Sequence, residues 1–239
     1  MSRICTLFVI LFVAVFTFDA AAIDVNAEAL KTAVKNKNVS AVKAFVEQGV
    51  NVNYRDNDGN TLLYTALISN NPVAAKILID AGADVNAPSA ENGITPLIIA
   101  TSRAEKLQKD AEKIMARRQG SAIEEKLKKH IAGQMMSARK MLQMLIDNGA
   151  DVNQETPYGT PLMNASKNEW NIEIIDILLK SGAQVNLRDR SGRTALFYGE
   201  LFGGNKVSSK LLAAGADVDI KDVNGRTYME VTAEDFEDN

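Results

Sequence analysis

Few side chains in this sequence of 239 residues are of the types that carry catalytic or metal chemistry. The only histidine is His130 and the only cysteine is Cys5, so neither a two-histidine metal motif nor a cysteine-based metal site can be built. A catalytic triad on His130 would also need a serine and a carboxylate held in a rigid pocket, which its charged surroundings do not offer. We therefore expect no catalytic residue, no metal site and no cofactor, and we interpret His130 as a solvated side chain.

Two short motifs are similar to ligand-binding loops but depart from them at decisive positions. Asp56-Asn57-Asp58-Gly59 has the centre of a calcium loop, yet Tyr54 stands at the first ligand position and Thr65 stands where a bidentate glutamate is needed. Gly203-Gly204-Asn205-Lys206 has neither the spacing nor the preceding strand of a phosphate-binding loop. We interpret the first motif as a turn and the second as a loop between helices.

An internal repeat in the sequence predicts the helices and turns that position these residues. The segment Gly82-Ala83-Asp84-Val85-Asn86 returns with small changes at Gly149, Gly182 and Gly215, and a variant precedes it at Gly49; the intervals are 33, 67, 33 and 33 residues. Each unit also opens on a threonine before an apolar run, twice with proline next to it: Thr95-Pro96 and Thr160-Pro161. Threonine is a good helix N-cap and proline suits the first helical position, so the pattern predicts that a helix begins at each opening.

A 33-residue repeat with these two signatures resembles the ankyrin repeat family. The resemblance covers the chain from about residue 26 to the C-terminus. It implies an all-α ankyrin-repeat solenoid, in which each unit has a β-turn finger and two antiparallel helices. We expect repeats at about 26–55, 56–88, 89–156, 157–189 and 190–222, and a partial C-terminal cap at 223–239. The recurring carboxylates then accept hydrogen bonds within finger turns: Asp84, Asp151 and Asp217.

The third repeat is longer than the others by about one period. Its opening threonine, Thr95, lies 65 residues before the next one, Thr160, where 33 or 34 would be expected. A hidden further repeat could supply the excess, but neither a threonine-proline opening nor a Gly-Ala-Asp-Val-Asn segment lies within it. We favour an extension of both helices of the repeat. Apolar residues at heptad spacing predict an antiparallel helical hairpin over about residues 102–138.

This predicted hairpin is basic, whereas the rest of the chain is acidic. Between Arg103 and Lys140, eleven lysines and arginines stand against five acidic residues, although the whole chain has a net charge of −3. Charged residues are common on solvated helical surfaces, which is the plain structural explanation. The functional alternative is a basic arm that docks to an acidic partner or an anionic membrane surface. Its basic residues near the tip are Arg117, Arg118, Lys126, Lys128 and Lys129.

Residues 1–22 have the features of an export signal peptide. Arg3 precedes an apolar run over residues 4–18, and Ala20-Ala21-Ala22 supplies small residues at the spacing that a signal peptidase reads. We expect cleavage after Ala22, which would leave residues 23–239 as an exported ankyrin repeat domain, periplasmic in a bacterium and secreted elsewhere. An uncleaved anchor is the alternative. However, an apolar helix of about 15 residues spans about 22 Å, less than the hydrocarbon core of about 30 Å.

A stack of repeats presents a long concave surface of fingers and first helices, which suits the binding of a protein. Tyrosine, tryptophan and arginine dominate binding hot spots, so we expect partner contacts from Tyr54, Arg55, Tyr158, Trp170, Arg188 and Arg190. Trp170 has no counterpart in the other repeats, and it either packs against the base of the arm or forms an exposed anchor. The acidic net charge and the predicted export argue against a nucleic-acid partner, and we expect no small-molecule substrate.

The resemblance to exported bacterial ankyrin proteins implies a non-enzymatic binding protein with a protein partner. Two roles follow from it: immunity or inhibition against a secreted toxin such as a phospholipase, and support of a periplasmic enzyme such as a catalase. The alternative from a different class is an envelope or membrane-surface scaffold that docks through the basic helical hairpin.

Overall fold

The structure is a computed structural model that describes residues 20–102 and 122–231. Within these ranges the chain forms stacked helical units with no β-strand, and only two isolated bridges occur in the fingers. A helix begins at residue 96 and is described to residue 102. The other α-helices are, in chain order, α1 (Ala20–Lys35), α2 (Val39–Glu47), α3 (Leu62–Ile68), α4 (Pro72–Asp80), α5 (Ala122–Asp147), α6 (Pro161–Ser166), α7 (Ile172–Lys180), α8 (Ala195–Tyr198) and α9 (Gly204–Ala213). The all-α ankyrin-repeat solenoid is thereby confirmed.

Three first helices begin directly after the threonines that the sequence signals predict. The hydroxyl groups of Thr61, Thr95 and Thr160 each accept a hydrogen bond from the amide three residues further on, at 3.1, 3.4 and 3.3 Å. Each second helix is followed by a glycine with φ between 78° and 91°, a conformation that a side chain would strain. These glycines are Gly49, Gly82, Gly149, Gly182 and Gly215.

A ladder of asparagine side chains joins successive repeats. Asn53 donates from its side-chain amide to the carbonyl of Gly82 at 3.0 Å and accepts from the amide of Asp84 at 2.8 Å. The same pair of bonds, at 2.8–3.1 Å, joins the last residue of each Gly-Ala-Asp-Val-Asn segment to the next segment. Both the donor and the acceptor of each asparagine are therefore used to hold neighbouring repeats in register.

The ladder continues across the long third repeat. Asn86 donates to the carbonyl of Gly149 at 3.0 Å and accepts from the amide of Asp151 at 2.9 Å, as its equivalents do over much shorter sequence separations. The unit that ends at Gly149 therefore stacks directly on the unit that ends at Gly82. No hidden repeat therefore separates these two units.

The helix α5 explains where part of the excess length goes. It has 26 residues, whereas the other second helices have nine or ten. Ala138, Met141, Leu142 and Leu145 are buried in the stack, whereas the described side chains between Lys126 and Met136 are exposed. The extension of the second helix is as predicted. Residues 103–121 lie outside the described residues, so the antiparallel hairpin stays a prediction.

A single apolar core runs along the stack between the first and second helices. Its largest fully buried side chains include Leu30, Leu63, Leu78, Leu142 and Leu162. The first helices α3, α6 and α8 have only seven, six and four residues, which is too short for a stable isolated helix. Packing between neighbouring repeats, rather than helix propensity, must therefore hold these helices in place.

The loop predicted at Gly203-Gly204-Asn205-Lys206 is mostly helical, which corrects the sequence interpretation. Residues Gly199–Gly203 form a π-helical turn, and α9 begins at Gly204. Gly203 has no room for a side chain, because a Cβ atom there would lie 2.3 Å from the carbonyl oxygen of Ser166. Gly203 thus allows the fifth repeat to pack closely against the fourth.

Candidate partner-binding surface

Each finger contains a tight turn that precedes a first helix, and one polar side chain organises it. Asp56 accepts hydrogen bonds from the amides of Asp58 and Asn60 at 3.1 and 2.8 Å. Asp189 and Asp222 each accept the equivalent pair of bonds at 2.8–2.9 Å, and Ser89 and Thr156 occupy the same position in the other turns. Asp56-Asn57-Asp58-Gly59 is therefore a finger turn, as predicted, whose first carboxylate is already used by the backbone.

Two of these aspartates are buried and paired with a cation. Lys31 Nζ lies 2.7 Å from Asp56 Oδ2, and Arg226 Nη2 lies 3.0 Å from Asp222 Oδ2. Burial alone would raise the pKa of Asp56, but the hydrogen bonds from Lys31 and from the amides of Asn60 and Asp58 outweigh it and lower that pKa. For Asp222, burial is likewise outweighed by the backbone and side-chain hydrogen bonds of Arg226, so its pKa is also lowered.

The lowered pKa of Asp56 makes the protein sensitive to acid. A carboxyl group that titrates lower when folded contributes stability above its unfolded pKa and loses it as the pH falls through the folded pKa. We therefore expect the free energy of unfolding to fall as the pH drops below about 4, and to fall less steeply in an Asp56→Asn variant. Urea denaturation across this pH range measures the slope. Asp58→Asn, which removes an exposed charge from the same turn, is the control, and an equal change of slope in both variants would contradict this assignment.

The predicted contact residues Arg55 and Arg188 use their guanidinium groups within the protein. Arg55 donates to the carbonyls of Gly59 at 2.7 Å and Pro88 at 2.8 Å. Arg188, in the equivalent position, donates to the carbonyls of Gly192 at 3.1 Å and Lys221 at 2.8 Å. Each arginine therefore ties its own finger to the next one, which is a positioning role that the sequence analysis missed. A sequence signal for this role was available, because each arginine lies one repeat period, 33 residues, before its second acceptor.

Tyr54 is also committed to an internal contact. Its hydroxyl group donates to Glu28 Oε1 at 3.0 Å, and its half-buried ring packs against the core. The finger that begins near Tyr54 is therefore fastened to α1. Partner binding by this residue stays a prediction.

Tyr158 and Arg190 remain exposed at successive finger tips. Tyr158 is 47% exposed, and its finger turn and that of Arg190 enclose a small polar cleft of about 160 Å³. The cleft is lined by both acidic and basic side chains, Glu155, Asp189 and Arg190.

Asp189 is itself held by Tyr198, whose hydroxyl group donates to it at 2.5 Å. Burial and this hydrogen bond raise the pKa of Tyr198, so the tyrosine stays a neutral donor beneath the cleft.

Trp170 lies at the turn between α6 and α7, and 51% of its surface is exposed. Asn168 fixes the turn, because its side chain accepts a hydrogen bond from the Trp170 amide at 2.9 Å. This exposure favours the exposed anchor over burial against the base of the arm. Trp170 lies at the helix-turn edge of the repeats, so the structure does not bring it together with the finger-tip pair.

The basic residues of the predicted arm are described only in part. Lys126 and Lys129 are exposed on the outlying half of α5, and His130 is exposed beside them. Arg117 and Arg118, and the side chain of Lys128, lie outside the described residues. The base of α5 is held by Arg139, whose Nη2 lies 3.0 Å from Glu173 Oε2 on α7.

Two other kinds of site, a metal centre and a membrane-spanning helix, do not occur within the described residues. In residues 20–102 and 122–231, three or more histidine, cysteine or acidic side chains nowhere converge as metal ligands would. In the same ranges, no helix combines the length and apolar character that a membrane crossing requires.

Comparisons with known proteins agree with this architecture. A family model described as ankyrin repeats in three copies matches residues 11–89, 30–115 and 130–222. Among solved structures, the chain is similar to an ankyrin repeat domain from Acinetobacter baumannii AYE, at 27% identity with a TM-score of 0.65. That alignment covers 84% of this chain and 88% of the other. The curated proteins contain no match.

Proposed function

This chain belongs to the ankyrin repeat family, and on this basis we propose that it is a non-enzymatic, exported protein that binds one protein partner through its finger tips. Ankyrin repeats generally mediate protein–protein interaction, so the class of function follows from the family. The surface, the compartment and the role are our proposals for this chain.

The proposal rests on a contrast along the fingers: some polar side chains are hydrogen-bonded within the protein, whereas others are exposed and available for contact. The asparagine ladder, the finger-turn aspartates and the two arginines Arg55 and Arg188 direct their polar groups inward or to the next repeat. Tyr158 and Arg190, by contrast, present exposed contact groups on a support that is already held rigid. A rigid support lowers the entropy lost on binding, which favours these two residues as the centre of the interface.

Truncation of this pair provides the test of the surface. We expect the double variant Tyr158→Ala, Arg190→Ala to bind the partner about 100-fold or more weakly, because a hot-spot side chain contributes roughly 2 kcal/mol. The partner is first captured from an envelope fraction with a tagged protein, and calorimetry on the purified pair then gives the Kd. Lys206→Ala, an exposed residue of α9, is the control, and a double variant that binds as tightly as this control would exclude the finger-tip surface.

Export of the chain is supported by the apolar run over residues 4–18 and the small residues before Ile23. Cleavage after Ala22 would shorten α1 to residues 23–35 and would keep the buried side chains that the structure describes in it, which include Ala27 and Leu30. We expect mass spectrometry of the protein from an exported fraction to give Ile23 as the first residue. An intact leader on protein confined to the cytoplasm would contradict export.

Two roles are compatible with a rigid exported scaffold. In the first, the chain blocks a secreted toxin, such as a phospholipase, as an immunity or inhibitor protein. In the second, it supports a periplasmic enzyme, such as a catalase. The identity of the captured partner separates the roles, because inhibition of that partner by the pure chain indicates immunity and enhanced activity or stability indicates support.

A membrane-surface scaffold that docks through the basic arm is the second candidate, favoured by the exposure of Lys126 and Lys129 on α5. Basic side chains near an anionic bilayer each contribute about 1 kcal/mol of attraction. Sedimentation with anionic vesicles tests this function. Binding that survives charge reversal at Arg117, Arg118, Lys128 and Lys129 would exclude the arm.

A further inference from the structure

A groove lies across the second helices of three successive repeats, and the proposed function does not use it. Its walls are α4 and α5, and Lys43 of α2 stands at its margin. Its volume is about 490 Å³, about three times that of the cleft between the finger tips. It lies on the helical face of the solenoid, away from the finger turns.

The floor and walls of the groove are lined by apolar side chains. The wall from α4 contributes Pro72, Val73 and Ile77, and that from α5 contributes Met141 and Met144. Val73 is 49% exposed, and Met144 is partly exposed. Methionine side chains adapt to the shape of an apolar ligand, as at many peptide-binding surfaces.

The margin of the groove is basic in a chain whose net charge is negative. Lys43, Lys76 and Lys140 line it, and Asp80 is the only acidic side chain among the lining residues. Lys76 Nζ lies 2.6 Å from Asp80 Oδ1, but both side chains are more than half exposed, so this ion pair is weak and can open. Lys126 and Lys129 lie further along α5 and extend the basic character beyond the groove.

We propose that this groove binds an acidic amphipathic helix of a partner protein. A helix laid between α4 and α5 would place apolar side chains at positions i, i+3, i+4 and i+7 over Val73, Ile77 and Met144, the geometry by which grooves recognise helices. Its flanking carboxylates would then reach Lys43 and Lys140, so the charge of the margin selects the partner. The site is distinct from the finger tips, and the chain therefore carries two binding surfaces.

A designed peptide tests the groove before the natural partner is identified. The probe is a fluorescent peptide of about 18 residues, roughly five helical turns, with leucine on one face and glutamate on the other. A peptide of the same composition with the leucines distributed around the helix is its control. We expect the probe alone to bind the full chain in fluorescence anisotropy. It should also shift the ¹³C-methyl resonance of Met144, which lines the groove, but not that of Met229, which is exposed at the far end of the solenoid.

Charge reversal tests whether the basic side chains at the margin of the groove attract the acidic peptide. We expect Lys43→Glu with Lys140→Glu to weaken binding at least about tenfold, as repulsion replaces attraction at two sites. Lys180→Glu with Lys206→Glu makes the same change of charge at exposed positions elsewhere and should leave the Kd unchanged. All four side chains are exposed, so the fold is retained.

Several results would overturn the proposal. These are equal binding of both peptides, equal effects of both double variants, an unchanged Met144 resonance, or no binding of the probe at about 1 mM. Preferential binding of anionic phosphatidylglycerol vesicles through Lys43 and Lys140 would also overturn it, because the groove would then be a lipid-binding surface. Since the finger-tip variant Tyr158→Ala, Arg190→Ala leaves the groove intact, it should bind the probe normally, and the two proposals can fail separately.

Discussion

Replacing Leu142 by alanine is expected to lower the free energy of unfolding by about 2–5 kcal/mol. Leu142 is fully buried in the part of α5 that enters the stack, beside the buried side chains of Met141 and Leu145. The substitution removes apolar contacts and leaves a cavity in the middle repeat. The effect should be large because the repeats on either side also depend on this repeat for their burial. Urea denaturation followed by circular dichroism measures the change.

Met136→Ala is the matched control for this prediction. Met136 lies on the same helix, six residues before Leu142, but it is half exposed, so we expect a change within about 0.5 kcal/mol. The contrast tests where α5 passes from solvent into the core. Equal costs for the two substitutions would show that α5 packs in a different register from the one described.

A methyl group at Gly203 is expected to destabilise the protein by about 3 kcal/mol or to prevent folding of the fifth repeat. The new Cβ atom would lie 2.3 Å from the carbonyl oxygen of Ser166 and 2.8 Å from Val207 Cβ. The first contact is with backbone, which cannot rotate away, so the π-helical turn would have to move off α6. Overpacking of a close-packed core costs about 1–3 kcal/mol, and a backbone clash places this site at the upper end.

The same substitution at the neighbouring Gly204 distinguishes the steric clash from the backbone strain of a residue with positive φ. Gly204 has a φ of 69°, but a Cβ atom there would meet nothing within 4 Å. Gly204→Ala should therefore cost only about 1–2 kcal/mol of backbone strain. Thermal unfolding of both variants gives the comparison. If Gly203→Ala does not fold, a chain that ends before residue 199 should still form α7 and the earlier repeats, which would place the folding defect in the fifth repeat. A Gly203→Ala protein as stable as the wild type would contradict the close packing of Gly203 against Ser166.

Much of the fold could be predicted from the sequence because ankyrin signals are local and repeated. Thr95 and Thr160 act as N-caps through an amide three residues away, and Gly82 ends its helix through its own φ. Such signals do not depend on distant residues. The stretch around Gly203 was the exception, since a glycine-rich sequence is compatible with both a loop and a helix start, and contacts with Ser166 decide between them.

The candidate site could be predicted only by residue type. The same preference for aromatic and arginine side chains selected Arg188, which holds the next finger, and Arg190, which is exposed two residues later. Their side chains differ in environment because the backbone carbonyl of Lys221 lies within reach of one of them. The groove escaped prediction for a related reason: Lys43, Lys76 and Lys140 are far apart in sequence and meet only when three repeats stack.

The repeat period, the helix ends and the excess in the third repeat are all encoded locally, in capping residues and in apolar spacing, and could therefore be predicted without a structure. The way in which the repeats join across that excess, and the set of side chains that remain exposed, depend instead on how the units stack. Asn86 follows a valine, as its equivalents do, but it bonds to Gly149, 63 residues away. Contacts of this kind are a property of the assembled solenoid rather than of any one segment.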